Sequence, residues 1–184
     1  MPTTLPELKL ATRMGRLGTE TAFEVLAKAK ALEAEGKSII HLEIGEPDFD
    51  TPKNIIEAGV DALRGGWTHY GPANGQPEAR EVVANYVAKS RGIEVHPDEV
   101  TIVPGGKPTM FYAMLALVEK GDEVIYPNPG FPIYESMLNF SGGKAVACPI
   151  RESNAFALDP DDVISRLSPR TKMVILNSPA NPTG

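Results

Sequence analysis

Residues 100–121 read VTIVPGGKPTMFYAMLALVEKG, and the change of period inside this stretch decides the fold. Thr101, Ile102 and Val103 form a β-branched run of the kind that fills buried strands. Pro104, Gly105 and Gly106 turn the chain sharply. From Lys107 onward Met110, Phe111, Met114, Leu115, Leu117 and Val118 recur at the spacing of one buried helical face, and Pro108 suits a first turn whose amides have no helical partner. A glycine pair entering a helix lets the backbone approach a ligand and points unpaired amides at it, and the helix dipole favours an anion there. Two readings stand on this stretch alone: a phosphate cradle, or an ordinary strand-to-helix turn. The turn has neither the dinucleotide glycine fingerprint nor the Walker pattern, which counts against a nucleotide-binding module.

Downstream the alternation is regular. Glu123–Tyr126 reads as a strand, PNPGFPIYESML as a loop passing into a helix, and Lys144–Cys148 as a second strand. Asp159 and Pro160 make an N-cap and first-turn pair for a helix ending near Leu167. Lys172–Leu176 (KMVIL) is a continuous apolar run, as in a strand covered on both faces. Upstream, a helix spans about Thr21–Glu35 and stops at Gly36. Ser38–Ile44 (SIIHLEI) alternates as a short strand. His41 within it reads as a hydrogen-bonded structural residue, since no second histidine stands at metal-binding spacing. The loop GEPDFDTP leads to Thr51 and Pro52, which cap and open a helix to about Arg64. A second loop, carrying Trp67, His69 and Tyr70, feeds a helix from about Pro77 to Ser90. Those aromatics either bind something or pack the loop down. Residues 1–18 read as an arm.

Strands alternating with helices imply an α/β fold with a mostly parallel sheet, whose ligands bind outside the carboxyl ends of the strands. The Gly-Gly turn, the loop after Tyr126 and NSPANPTG after Leu176 each follow a strand, so they should gather at one rim. No helix follows the last loop to cover the final strand. The expectation is therefore the N-terminal portion of a longer protein, with an incomplete sheet.

Of the 184 residues 42% are hydrophobic and 23% charged, the balance of a soluble globular chain. A net charge of -6 with no basic block argues against nucleic acid. The single cysteine, Cys148, cannot form an internal disulfide, in keeping with a reducing compartment. The N-terminal sequence lacks a signal-peptide pattern, and no apolar run reaches membrane-spanning length. These features point to the cytoplasm, with no membrane and no metal.

Five stretches together resemble the class I/II aminotransferases, pyridoxal-phosphate enzymes of fold type I related to aspartate aminotransferase. They are IGEPDFDTP (44–52), HYGPANGQPEAR (69–80), PGGKPTMFYAML (104–115), GDEVIYPNPGFPIYESM (121–137) and NSPANPTG (177–184). The resemblance implies a three-layer fold with a mostly parallel central sheet. It assigns residues 1–18 to an arm, 19–45 to a small domain and 46–184 to the N-terminal part of the large cofactor-binding domain. It implies that Gly105, Gly106 and Lys107 hold the phosphate of pyridoxal 5'-phosphate, that Phe131 stacks on its ring, and that Asn181 donates to its phenolic oxygen and touches the substrate carboxylate. Gly45 matches a glycine near that carboxylate. Tyr70 matches a tyrosine that reaches the phosphate of the neighbouring subunit, which implies a homodimer. Ser178–Pro179 and Asn181–Pro182 match sites of cis bonds.

The implied reaction moves an amino group between an α-amino acid and a 2-oxo acid. The family's Schiff-base lysine, the aspartate on the pyridine nitrogen and the arginine on the substrate carboxylate all fall beyond Gly184. No catalytic residue is therefore expected in this chain, and alone it should be inactive without the C-terminal remainder. Family members often carry Ser, Thr or Ala in the phosphate turn. Gly-Gly-Lys-Pro here leaves fewer hydroxyl contacts. A lyase or synthase of the same cofactor family, or a truncated non-catalytic chain, remain the alternatives.

Overall fold

A computed structural model describes residues 8–18 and 21–184. In chain order it contains a 3-10 turn Thr12–Arg16, helices α1 (Thr21–Ala34), α2 (Lys53–Arg64) and α3 (Pro77–Arg91), a 3-10 turn Pro97–Glu99, and helix α4 (Gly106–Leu117). Strand β1 (Glu123–Asn128), helix α5 (Ile133–Ser141), strand β2 (Lys144–Pro149), a 3-10 turn Glu152–Asn154, helix α6 (Pro160–Ile164) and strand β3 (Thr171–Val174) follow. Two compact units result: Lys107–Gly184 with the residues up to Lys28, and Ala29–Gly106. The arm expectation for residues 1–7 lies outside the described residues.

The first unit is an α/β layer structure. Its sheet has the order β2-β1-β3, with both pairs parallel. Glu123 stands opposite Lys144 and Asn128 opposite Pro149, while β3 is in register from Val124–Met173 onward, after an irregularity at Glu123. Central β1 is buried from Glu123 to Pro127, as its apolar run requires. Val124 and Tyr126 point into a core with Met114 and Val118 from the α4 segment and Tyr134, Met137 and Leu138 from α5. Parallel strands need a long crossover, and α5 provides it. It stops at Gly142, which takes a left-handed φ of 93° and donates its N–H to the Leu138 carbonyl.

Residues 12–16 of the arm form the 3-10 turn, and α5 holds it. Arg16 donates to the carbonyls of Asn139 and Phe140, while Gly18 and Ser136 exchange two hydrogen bonds.

In the second unit Arg80 is the buried anchor. It donates to the carbonyls of Pro97 and Val100 and to Asp98, fastening α3 to the Pro97–Glu99 turn. His96 and Glu99 close that turn with reciprocal caps.

Several expectations are corrected. Neither Ser38–Ile44 nor Thr101–Val103 is a strand. A strand exists only where a neighbouring edge pairs with it. Ile40 and Leu42 are 85% and 89% exposed, and Ile102 donates its N–H to the Asn74 carbonyl of a loop rather than to a strand. His41 is nonetheless the hydrogen-bonded residue expected, set between Glu43 at 2.6 Å and Glu33 at 2.9 Å. These carboxylates raise its pKa above the usual histidine value, Glu33 contributing most. Thr51 does not cap α2. Pro52 holds the cap position, and its carbonyl accepts from Ile55 and Ile56.

In α4 the buried face is Met114, flanked by partly buried Met110 and Phe111, while Leu115 and Leu117 are exposed. At roughly 100° per residue those two leucines fall on the flanks of the stripe. α6 ends at Ile164 because the chain tightens there, Leu167 donating to the Ile164 carbonyl. β3 is covered on one face only, with Met173 and Ile175 inward and Val174 and Leu176 exposed.

Candidate functional site

The rim is built where β1 and β3 deliver the chain to their following loops. After Asn128 the backbone turns back on itself at Gly130. A Cβ on Gly130 would run into the Pro127 carbonyl oxygen, so only glycine makes this turn. The turn presents Phe131 just ahead of α5. Its ring meets Tyr134 edge-on, with centroids 6.0 Å apart and planes at 88°. Lys107 stands 5.9 Å from the same ring centroid and 6.0 Å from that of Phe23, within reach of a cation–π contact.

β3 leads into the second loop, 177–184. Ser178–Pro179 and Asn181–Pro182 are cis, as the resemblance implies. Asn128–Pro129 is cis as well, which the sequence reading did not include. The Asn177 carboxamide organises this loop. With its oxygen facing the donors, it accepts from Asn181 N–H at 3.1 Å and from Tyr134 O–H at 3.3 Å, and its nitrogen donates to the Pro179 carbonyl at 3.2 Å. Gly184 N–H closes the turn on the Ala180 carbonyl.

Lys107, Phe131 and Asn181 are thus joined through Tyr134 and Asn177 within the first unit. The other residues singled out by sequence lie in the second. Gly105 takes a φ of +84°, where an L side chain is strained, and a Cβ on Gly105 or Gly106 would meet only open space. The first turn of α4 carries no acidic side chain. Gly45 is exposed in an irregular loop. Tyr70 is fully exposed and, with Trp67, His69 and Gln76, lines a small hollow of about 200 Å³.

Sequence reasoning missed three further features. Asn177 and Tyr134 are the first; their only signal was position, beside Asn181 and Phe131. The second is an ion network behind β2. Arg151 and Arg166 both hold Asp162, whose carboxyl is kept below its ordinary pKa chiefly by Arg151. Arg166 also donates to the Ala147 carbonyl. Buried Cys148 lies next in β2, its thiol pushed upward by burial. The third is an apolar hollow of about 750 Å³ lined by Pro127, Ile150, Phe156, Leu158, Val163 and Leu176. No helix among the described residues is long and apolar enough to cross a membrane.

The chain is 44% identical over 161 residues to an aspartate aminotransferase of Pyrococcus horikoshii, covering 88% of this chain and 40% of that protein. It superposes on the aspartate aminotransferase of Thermus thermophilus with maleate at a TM-score of 0.90 and 37% identity, covering 95% of this chain and 46% of that one. An alanine aminotransferase of Pyrococcus furiosus gives a TM-score of 0.90 at 30% identity, over 95% and 45% of the two chains. The chain spans less than half the length of the relatives it matches. The three-layer α/β architecture with its parallel sheet is therefore that of the aminotransferase fold, present here in part. The family model for aminotransferase class I and II matches residues 37–184, and the chain belongs to that family.

Proposed function

We propose that the whole protein carrying this chain is a pyridoxal-phosphate-dependent aminotransferase, moving an amino group between an α-amino acid and a 2-oxo acid. The observation that carries this reading is the rim itself: Phe131 and Asn181, from loops after two different strands, are linked through Tyr134 and Asn177 beside Lys107.

The residues present fit the cofactor. The amides of Gly106 and Lys107 open a twelve-residue helix with no acidic residue in its first turn, and Gly105 keeps the approach bare. Such a helix end favours a phosphate dianion. Phe131 would offer a flat apolar face to the ring and keep water from it. Asn181 would donate to the phenolic oxygen and orient the substrate carboxylate, and Gly45 matches the family's glycine near that carboxylate. When bound, the cofactor supplies an electron sink for the substrate's α-carbon. The chain's own residues hold, orient and desolvate.

Tyr70, exposed on its loop, would reach the phosphate of a second subunit in a homodimer. In the complete enzyme residues 19–45 would join the small domain and 46–184 the large one, with the reacting lysine supplied by the C-terminal remainder. Cytoplasmic placement and amino-acid and 2-oxo-acid substrates belong to the same reading.

A panel of amino donors assayed with 2-oxoglutarate tests it. Glutamate should form with at least one donor, and only in the presence of pyridoxal phosphate. A protein that neither takes up the cofactor nor transfers nitrogen from any donor contradicts it.

A further inference from the structure

We infer that Asn177 and Tyr134 form one positioning clasp that fixes Asn181 and Phe131 relative to each other, so that the donor and the stacking face of the proposed cofactor bed are set together. This rests on the reading of Phe131 and Asn181 given above.

The clasp uses the capacity of a carboxamide both to accept and to donate. In the amide orientation that the surrounding donors and acceptors assign, the Asn177 oxygen takes two donors from two different parts of the chain: the backbone N–H of Asn181 at 3.1 Å and the hydroxyl of Tyr134 at 3.3 Å. Its nitrogen holds the Pro179 carbonyl at 3.2 Å, closing the loop between the two prolines. An aspartate could not make that last bond, and an alanine could make none of them.

Tyr134 is 5% exposed, so its hydroxyl needs a partner. It also determines Phe131 twice. Its ring packs edge-on against the Phe131 ring, and its N–H donates to the Phe131 carbonyl at 3.1 Å. On its far side it contacts Tyr126 of β1 at 6.5 Å between centroids. The tyrosine is therefore anchored to the central strand and transmits that anchorage to both loops. Neither residue is assigned a contact with substrate or cofactor; they act through Phe131 and Asn181.

The test uses the whole protein with the variants Asn177→Ala, Tyr134→Phe and the pair combined, with two readouts. The first is hydrogen exchange at the Asn181 amide, with the Ile175 amide, which donates to the Ile125 carbonyl, as control. Tyr134 does not touch the Asn181 amide, yet Tyr134→Phe should speed its exchange while leaving Ile175 unchanged. The second is the dissociation constant for pyridoxal phosphate. Each single variant should raise it about 2- to 10-fold, and the double variant should match the larger single effect to within about 2-fold rather than their product.

Multiplicative effects, or unchanged exchange at Asn181 in Tyr134→Phe, would overturn the clasp. Should Asn177→Ala fail to fold, the exchange result for Tyr134→Phe alone decides. Wild-type protein that binds no pyridoxal phosphate would overturn the functional reading and this inference with it. Wild-type binding with uncoupled variants overturns the clasp alone.

Discussion

Glu123 and Arg170 are joined both through their side chains and through the backbone. Arg170 Nη2 donates to Glu123 Oε1 at 2.8 Å, and Glu123 N–H donates to the Arg170 carbonyl at 2.8 Å. Ser168 and Lys144 donate to the same carboxylate at 2.7 and 3.1 Å. One buried glutamate thus ties the amino-terminal ends of all three strands, at the opposite end of the sheet from the rim.

These donors, Ser168 first, hold the Glu123 carboxyl down to about 2, against an ordinary value of 4.5. A depressed folded-state pKa stabilises fully above the unfolded value and is lost as pH falls through the folded one. Exchange protection at the Ile175 amide should therefore decline as pH drops from about 4.5 toward 2 in the wild type. In Glu123→Gln, protection should be lower at neutral pH and should change less across that window. Parallel pH profiles for the two proteins would reject the role given to this carboxylate.

Leu138 is fully buried at the centre of the core between α5 and β1, whereas Leu115 on α4 is 51% exposed. Leu138→Ala should cost about 2–5 kcal/mol, the range for a leucine deleted from a packed interior. Leu115→Ala in this unit should stay within about 0.5 kcal/mol. Urea denaturation monitored by hydrogen exchange of the first unit separates them, and equal losses would show that α4 buries a different face.

Ser136 both donates to and accepts from Gly18, and is the polar link that holds residues 12–18 against α5 beside Arg16. Ser136→Ala should weaken that hold by about 1–3 kcal/mol, two ordinary hydrogen bonds. Trypsin should then cut after Arg13 and Arg16 faster than in the wild type while cleavage elsewhere is unchanged. An unaltered cleavage pattern would mean that other contacts dominate.

Tyr70 is proposed to reach a phosphate across a subunit boundary. Tyr70→Phe should weaken retention of pyridoxal phosphate by about 0.5–3 kcal/mol, the span from a neutral to a charge-assisted hydrogen bond. Dialysis followed by cofactor quantification measures it. Retention equal to the wild type would leave Tyr70 without a cofactor contact.

The parts of the fold that were legible share a cause. Helices and strands whose period and start signals are local, such as β1, α5 after its Pro-rich loop, and α6 behind Asp159 and Pro160, could be placed from the residues themselves. The parts that were not legible depend on what lies across space. Ile40, Leu42 and Ile102 have strand character but no partner edge among the described residues, so no ladder forms there. Ser136 reads as an ordinary helical serine until the turn 118 positions earlier comes to meet it. At the rim, Lys107, Phe131 and Asn181 were marked by the family resemblance of the stretches that carry them. Asn177 and Tyr134, which hold them, look like any asparagine before a proline and any tyrosine in an amphipathic helix.

The central claim is that the α4 turn, the loop after β1 and the loop after β3 together grip a phosphorylated pyridine. A crystal structure of the whole protein grown with pyridoxal phosphate tests it most directly. The account predicts the phosphate at about 2.7–3.2 Å from the amides of Gly106 and Lys107, with the ring against Phe131 and its phenolic oxygen at Asn181. Cofactor density seated away from these residues, with the three turns unengaged, would contradict it.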